Sequence, residues 1–153
     1  MKITPLINWF RKPSEHKSAQ DFWPHYLELH KNPKVREKHV AGTLTGLAVS
    51  TNTLTAGVTA GAVSGEWILI PIAVLLSPIV LAATTYTMLI PSHKKYGGNQ
   101  AATLESFKHA KWSVLGDFKM CLYQCMGWLD EEFKKYGIVV PPREDTKVEE
   151  KKP

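Results

Sequence analysis

The chain has 153 residues, a formal net charge of +5 and two cysteines. This length suits about one domain of ~100 to 200 residues, and two cysteines exclude a disulfide framework. The basic residues flank apolar segments and are mixed with acids, an arrangement that suits anionic lipid headgroups better than a nucleic-acid phosphate groove. We therefore expect a single domain that does not bind nucleic acid.

A helix-turn-helix corner is predicted before the apolar region, and its second helix continues into that region. Ser18 has the position of an N-cap, with Asp21 in the place of the capping-box acid. Apolar residues follow at helical spacing, namely Phe22, Tyr26 and Leu29. This helix is expected to end near residue 30 or 31. Asn32 then caps a second helix whose first residue is Pro33, where the missing amide hydrogen costs nothing.

Two long uncharged segments, 41–65 and 67–91, are separated by Glu66. The second exceeds the ~20 residues that span a hydrocarbon core, whereas the first is richer in Thr, Gly and Ser. A carboxylate in the middle of a spanning helix costs about 2.5 to 3.5 kcal/mol, so Glu66 is expected at a turn. The pattern predicts an all-α protein with a transmembrane helical hairpin. The alternative is a soluble helical protein with unusually apolar core helices, which the mean hydropathy of −0.18 allows.

Glycines in the first segment recur at intervals of four residues, at Gly42 and Gly46 and again at Gly57, Gly61 and Gly65. Such spacing lets neighbouring helix backbones approach closely. It also supports a second functional hypothesis, a non-catalytic helical membrane protein that acts through packing with copies of itself or with a partner. A homo-oligomer is therefore allowed.

The distribution of Lys and Arg predicts the topology. Eight of them precede residue 41, eleven follow residue 92 and none lies between. Since two crossings return the chain to its starting side and basic residues favour the cytoplasm, both termini are expected to be cytoplasmic. We expect one helical membrane domain over 1–140, with interfacial helices, and a disordered polar tail over 141–153. The segment with Trp9 and Phe10 is either an interfacial anchor or a loose tail. The host membrane would be the bacterial inner membrane or the endoplasmic reticulum.

Three histidines are predicted at one membrane face. His30 and His39 flank the Asn-Pro turn, and His93 directly follows the second spanning segment. Imidazoles from separate segments can bind a divalent metal such as iron or zinc. Individually, His30 could instead be a cation at a helix carboxyl end and His39 a membrane-interface residue. The spacing therefore allows a shared metal without requiring it.

Two further residues are candidates for supporting the metal ligands. Asp117 is an acid within an apolar helix and needs a partner. That partner is either the ring hydrogen of a ligand histidine or a nearby lysine. His109, near the start of the same helix, is the second candidate, whereas His16 and His25 are expected to be exposed to solvent.

Two segments in this order resemble the signatures of a known family. They are "FWPHYLELHKNPKVREKHVAGT" and "SHKKYGGNQAATL" followed by "FKHAKWSVLGDFKM", and they resemble the 2-hydroxy-fatty-acid dioxygenase family, whose bacterial members were long catalogued as a domain of unknown function. The family takes part in fatty-acid α-oxidation, including the metabolism of phytosphingosine to odd-numbered fatty acids. The resemblance implies a small helical membrane protein that uses ferrous iron (Fe2+) and O2 to convert a 2-hydroxy fatty acid to a fatty acid one carbon shorter. His30, His39 and His93 match the histidines that the family uses at the metal.

The chain also departs from the family pattern. Gly97, Gln100 and Ala101 stand where the family usually has an acid, an arginine and a proline, and a short insertion lies near "LES". If the missing acid binds the metal or supports a ligand, metal affinity should fall by about 10- to 100-fold. The departures imply a divergent member that acts on another substrate or has lost its activity.

Overall fold

A computed structural model describes residues 16–142. The segment with Trp9 and Phe10 and most of the predicted tail lie outside this range. Every regular element within it is helical, which confirms the all-α fold class. In chain order these are α1 (Ala19–Leu29), α2 (Pro33–Ser64), α3 (Leu69–Ser92), a π-helical turn (His93–Gly97), α4 (Ala102–Glu105), α5 (Phe107–Met126) and α6 (Leu129–Lys135).

The predicted starts of α1 and α2 are confirmed. The Ser18 hydroxyl accepts a hydrogen bond from the backbone N–H of Asp21 at 3.1 Å, and the Asn32 side-chain oxygen caps α2 by accepting from the N–H two residues later at 2.9 Å. The amide nitrogen of Asn32 also donates to the carbonyl of Tyr96 at 2.8 Å. One side chain therefore begins α2 and fixes the π-helical turn beside it.

The two long helices pack antiparallel, and glycines on α2 form much of the contact. A Cβ added at Gly42 would lie 2.6 Å from Leu89, and one at Gly57 would overlap the Cβ of Ala73. Gly61 likewise faces Ile70. The four-residue glycine spacing thus serves packing within one chain, so Gly57 and Gly61 are already covered by α3.

The turn between the long helices contains Glu66, as the charge pattern predicts. Gly65 has a φ of 76°, the left-handed conformation that glycine adopts without strain at a helix end. Of the described helices, one is long and apolar enough to cross a membrane, over Leu69–Gly97 with a mean hydropathy of 2.0. The threonines, serines and glycines of α2 keep its hydropathy lower, and the predicted pair of membrane spans is therefore not confirmed.

A compact aromatic core joins the shorter helices. Its buried members are Phe22, Trp23, Tyr26, Leu27, Ala102, Met120, Leu129 and Phe133. The indole N–H of Trp23 donates to Glu132 at 2.8 Å. Arg36 on α2 stacks over the Phe133 ring at 4.9 Å and donates to the Lys31 carbonyl at 2.7 Å. These contacts hold the core against the end of the hairpin where α2 begins and α3 ends.

The close packing of α2 on α3 predicts that Gly57→Val destabilises the protein. The added side chain cannot fit beside Ala73, and overpacking of this kind costs about 1–3 kcal/mol. Thermal unfolding in mild detergent should show a lower midpoint. Ala56→Val is the matched control because Ala56 is exposed on the same helix. Equal midpoints for the two variants would contradict the glycine-mediated contact.

Candidate metal centre

Three histidines from three segments meet in the protein interior. His30 ends α1, His39 lies in the second turn of α2, and His93 begins the π-helical turn after α3. Their exposed fractions are 1%, 3% and 1%. The Nε2 atom of His39 lies 3.2 Å from that of His30 and 3.0 Å from that of His93. The antiparallel course of α2 and α3 thus brings the three predicted residues together.

Fixed acceptors place the ring hydrogens of two of these histidines on Nδ1. The Nδ1–H of His30 donates to the carbonyl oxygen of Tyr26 at 2.6 Å, and a carbonyl can only accept. The Nδ1–H of His39 donates to the Asp117 carboxyl oxygen at 2.8 Å. The hydroxyl of Tyr26 donates to the same oxygen. Both imidazoles therefore present an unprotonated Nε2.

Asn99 orients the third ring. Its amide nitrogen donates to the carbonyl of Leu29 at 2.9 Å, which leaves the amide oxygen to accept from His93 Nδ1 at 2.8 Å. The ring hydrogen of His93 is therefore also on Nδ1. All three Nε2 lone pairs face one another, and the short nitrogen–nitrogen distances cannot be hydrogen bonds between neutral rings.

A cation satisfies this arrangement. Neutral imidazoles whose Nδ1–H groups are held by oxygen acceptors are the usual form of metal-binding histidines, and the three ligand nitrogens all lie within 4.8 Å of one another. The cavity beside them measures about 10 Å³, close to the lower limit for a single water molecule. The donor set and the space both fit one divalent ion, and imidazole ligands suit iron and zinc alike.

Burial disfavours protonation of the histidine rings, so protons do not compete with a metal ion for the Nε2 atoms. It lowers the pKa of His30 and of His39 well below the ordinary histidine value, and the neighbouring imidazoles lower it further. Burial also raises the pKa of Asp117 to about 7, although the hydrogen bond from Tyr26 opposes this shift. The contact between Asp117 and His39 is therefore a hydrogen bond from a neutral imidazole and not an ion pair. A cation at Nε2 would favour the ionised carboxylate.

Tyr26 supports two of the three histidines, a role that its place in the apolar pattern did not suggest. Its ring stacks on His30 with centroids 4.0 Å apart, and its hydroxyl reaches Asp117. A Cβ at Gly116 would lie 2.8 Å from the Tyr26 ring. Only glycine allows α5 to approach this closely. The available sequence signal is that Tyr26 precedes His30 by one helical turn.

The sequence analysis did not identify Asn99 as a residue of the site. Its side chain lies next to Gly97, one of the positions at which the chain departs from the family pattern. A Cβ at Gly97 would lie 2.6 Å from the Asn99 side-chain oxygen, the atom that accepts from His93. The glycine thus leaves room for the amide in its present place. In this chain Asn99 supplies the acceptor for the third ring.

The structure favours a supporting role for Asp117 over an ion pair with a lysine, because Asp117 accepts from His39. His109 lies elsewhere, eight residues or ~12 Å along α5. Its ring is grouped with those of His16 and His25, and its Nδ1 is 3.5 Å from Glu105. Neither ring nitrogen has a hydrogen-bond partner within residues 16–142. The structure thus places the His109 ring outside the cluster of three histidines, and a supporting role for it stays a prediction.

Fold and site together define an all-helical protein with a buried histidine cluster that could hold a metal ion. The family model for "2-hydroxy-palmitic acid dioxygenase Mpo1-like" matches residues 16–129, a range that includes every residue of the cluster and its supports. The chain belongs to this family. The searches of curated proteins and of solved structures found no match.

The convergence of the three Nε2 atoms predicts that His39→Ala abolishes metal binding. The Nε2 atom of His39 lies close to the Nε2 atoms of both other histidines, so its removal leaves only two separated ligands. Iron and zinc per chain should be measured after purification in mild detergent without a chelating tag and after anaerobic loading with ferrous salt. His25→Ala is the control because His25 contacts Glu105 and lies outside the cluster. Equal metal content in both variants would contradict the site.

The acceptor role of Asn99 predicts a smaller effect. Asn99→Ala removes the oxygen that orients His93, and the loss of such a support typically lowers metal affinity by about 10- to 100-fold. Competition with a metal-binding dye would measure the change. Gln100→Ala is the matched control because the adjacent Gln100 is exposed. An unchanged affinity in Asn99→Ala would show that the ring of His93 needs no such partner.

Proposed function

We propose that the protein is an iron(II)-dependent dioxygenase that converts a 2-hydroxy fatty acid and O2 to a fatty acid one carbon shorter, with His30, His39 and His93 as the iron ligands. The observation that carries the proposal is the convergence of three unprotonated Nε2 atoms in a buried cavity. Family membership supports the substrate class. The overall change balances with one O2 when the carboxyl carbon leaves as CO2 together with one water.

Three protein ligands suit this chemistry because they leave coordination positions open for O2 and for the 2-hydroxy acid. Ferrous iron, when bound, supplies the electrons that allow O2 to react with a closed-shell organic acid. The protein holds the ligand rings rigid through their Nδ1–H bonds and excludes bulk water through burial. Ser113 lines the same cavity, and its buried hydroxyl has no hydrogen-bond partner in the described part of the chain. It is therefore available to donate to the carboxylate of the substrate.

The outer surface of the long helices supports a membrane location. Large apolar side chains are exposed along both of them, including Leu44, Leu47, Val58, Ile72, Leu75 and Ile79. Such surfaces suit a lipid environment. We place α3 across the membrane with α2 beside it and both ends of the pair in the cytoplasm. Lys94 and Lys95 are exposed next to His93, where the interface would hold the carboxylate of an acid whose tail enters the apolar region.

Turnover tests the proposal. Iron-loaded protein supplied with 2-hydroxyhexadecanoic acid should consume O2 and release pentadecanoic acid in equal amounts, and hexadecanoic acid should not react. His39→Ala and His93→Ala should lose both activities, whereas His25→Ala should keep them. The proposal fails if iron-loaded protein turns over no 2-hydroxy acid of any chain length, or if turnover survives in His39→Ala.

A further inference from the structure

An apolar cleft opens between α2, α3 and α5. It has a volume of about 230 Å³. Its lining includes Thr43, Pro78, Leu81, Ala82, Val114 and Phe118. Val114 and Phe118 are partly exposed, at 40% and 39%, so the cleft opens at the surface of the helix bundle. Its shape and its lining suit a hydrocarbon chain that enters from the side.

The cleft adjoins the histidine cluster. Tyr86 and Asp117 line both the cleft and the small cavity beside the three histidines. Asp117 also accepts the hydrogen bond from His39. A ligand seated in the cleft therefore has one end close to the histidine cavity, with Tyr86 and Asp117 at the boundary between the two.

Each of the two spaces also contains a polar group without a partner. The hydroxyls of Thr43, in the cleft, and Ser113, in the cavity, are buried and have no hydrogen-bond partner among the described residues. A buried hydroxyl without a partner is unfavourable, so a ligand that supplies an acceptor to each would be stabilised. The two hydroxyls and the apolar lining of the cleft together match an amphipathic ligand with one polar head and one alkyl tail.

We propose that this cleft binds the alkyl tail of the 2-hydroxy fatty acid and that the protein, and not the bilayer alone, selects its chain length. The identity of the head group rests on the proposed function. If a methylene is about the size of a water molecule, ~30 Å³, the cleft holds about seven or eight of them. Each methylene buried there raises affinity about fourfold. The rest of a longer tail leaves through the open side.

Ala82→Phe tests the cleft directly because the new ring would fill it. The neighbouring Ala83 is exposed on the same helix and does not line the cleft, so Ala83→Phe is the matched control. The probe is hexadecanoic acid with a diazirine at its midpoint, photolysed with protein in lipid nanodiscs. Labelled peptides should come from α2, α3 and α5, with several-fold less labelling in Ala82→Phe and no change in Ala83→Phe. Equal labelling in both variants, or labelling confined to other helices, would overturn the proposal.

A second pair of variants guards against misfolding. Val114→Phe should reduce labelling as Ala82→Phe does, whereas Leu115→Phe should not, because Leu115 is exposed and lies outside the cleft. Stoichiometric metal in each variant would show that the histidine cluster is intact.

Turnover separates this inference from the proposed function. The rate for 2-hydroxyhexadecanoic acid relative to 2-hydroxybutanoic acid, whose two tail carbons fill little of the cleft, should fall by about tenfold or more in Ala82→Phe, since at least two methylenes of the longer acid lose their site. An unchanged ratio of rates in an active enzyme would overturn the proposal that the cleft binds the alkyl tail, and the proposed function would remain. If the parent protein turns over neither acid, the proposed function fails, and the labelling experiment still decides whether the cleft holds an alkyl chain.

Discussion

The arrangement of the His39 ring organises the site. Its Nδ1–H donates to Asp117 at 2.8 Å, and its Nε2 lies within 3.2 Å of the Nε2 atoms of His30 and His93. Because all three ring hydrogens are held on the far sides by oxygen acceptors, the inner nitrogens cannot satisfy one another. Burial makes protonation of the rings unfavourable. A divalent cation is the partner that this arrangement accepts most readily.

The fold is built to hold those rings in place. The close contact of α2 and α3 through Gly42 and Gly57 makes the two long helices a single unit, so the end of α3 is fixed against the second turn of α2. The π-helical turn then widens the backbone after Ser92 and lets Asn99 return to the ring of His93. Irregular turns of this kind are frequent at functional sites. The aromatic core positions the remaining ring, that of His30, through its contacts with Tyr26.

Local signals in the sequence predict the local structure well. Ser18 and Asn32 cap helices because their side chains satisfy free N–H groups within a few residues, and Glu66 lies at a turn because a charge is costly within an apolar helix. We predicted that the three histidines lie at one end of the helical hairpin because two antiparallel helices return the chain to its starting side. That prediction needs no knowledge of side-chain packing. These predictions depend only on sequence neighbours and on the direction of the chain.

The supporting contacts could not be predicted in the same way. The acceptor for His30 is a backbone carbonyl, which every residue has. The acceptor for His93 depends on a π-helical turn and on the absence of a side chain at Gly97. The membrane topology does not follow from mean hydropathy alone, because hydroxyl groups on α2 form hydrogen bonds with backbone carbonyls of the same helix. Thr53 donates to the Val49 carbonyl at 2.9 Å, and Ser64 donates to that of Ala60 at 2.7 Å. Such internal bonds let a helix of modest hydropathy lie in lipid, which supports the proposed location of α2.

Electrostatics connects the lining of the histidine cavity with the proposed anionic substrate. Among the residues that line the histidine cavity, Asp117 is the one acid, and the acceptor for His93 is the neutral amide of Asn99. A divalent ion and one ionised carboxylate leave a net positive charge in a buried cavity, and such a charge is unfavourable unless an anion balances it. The carboxylate of the proposed 2-hydroxy acid substrate would provide that balance.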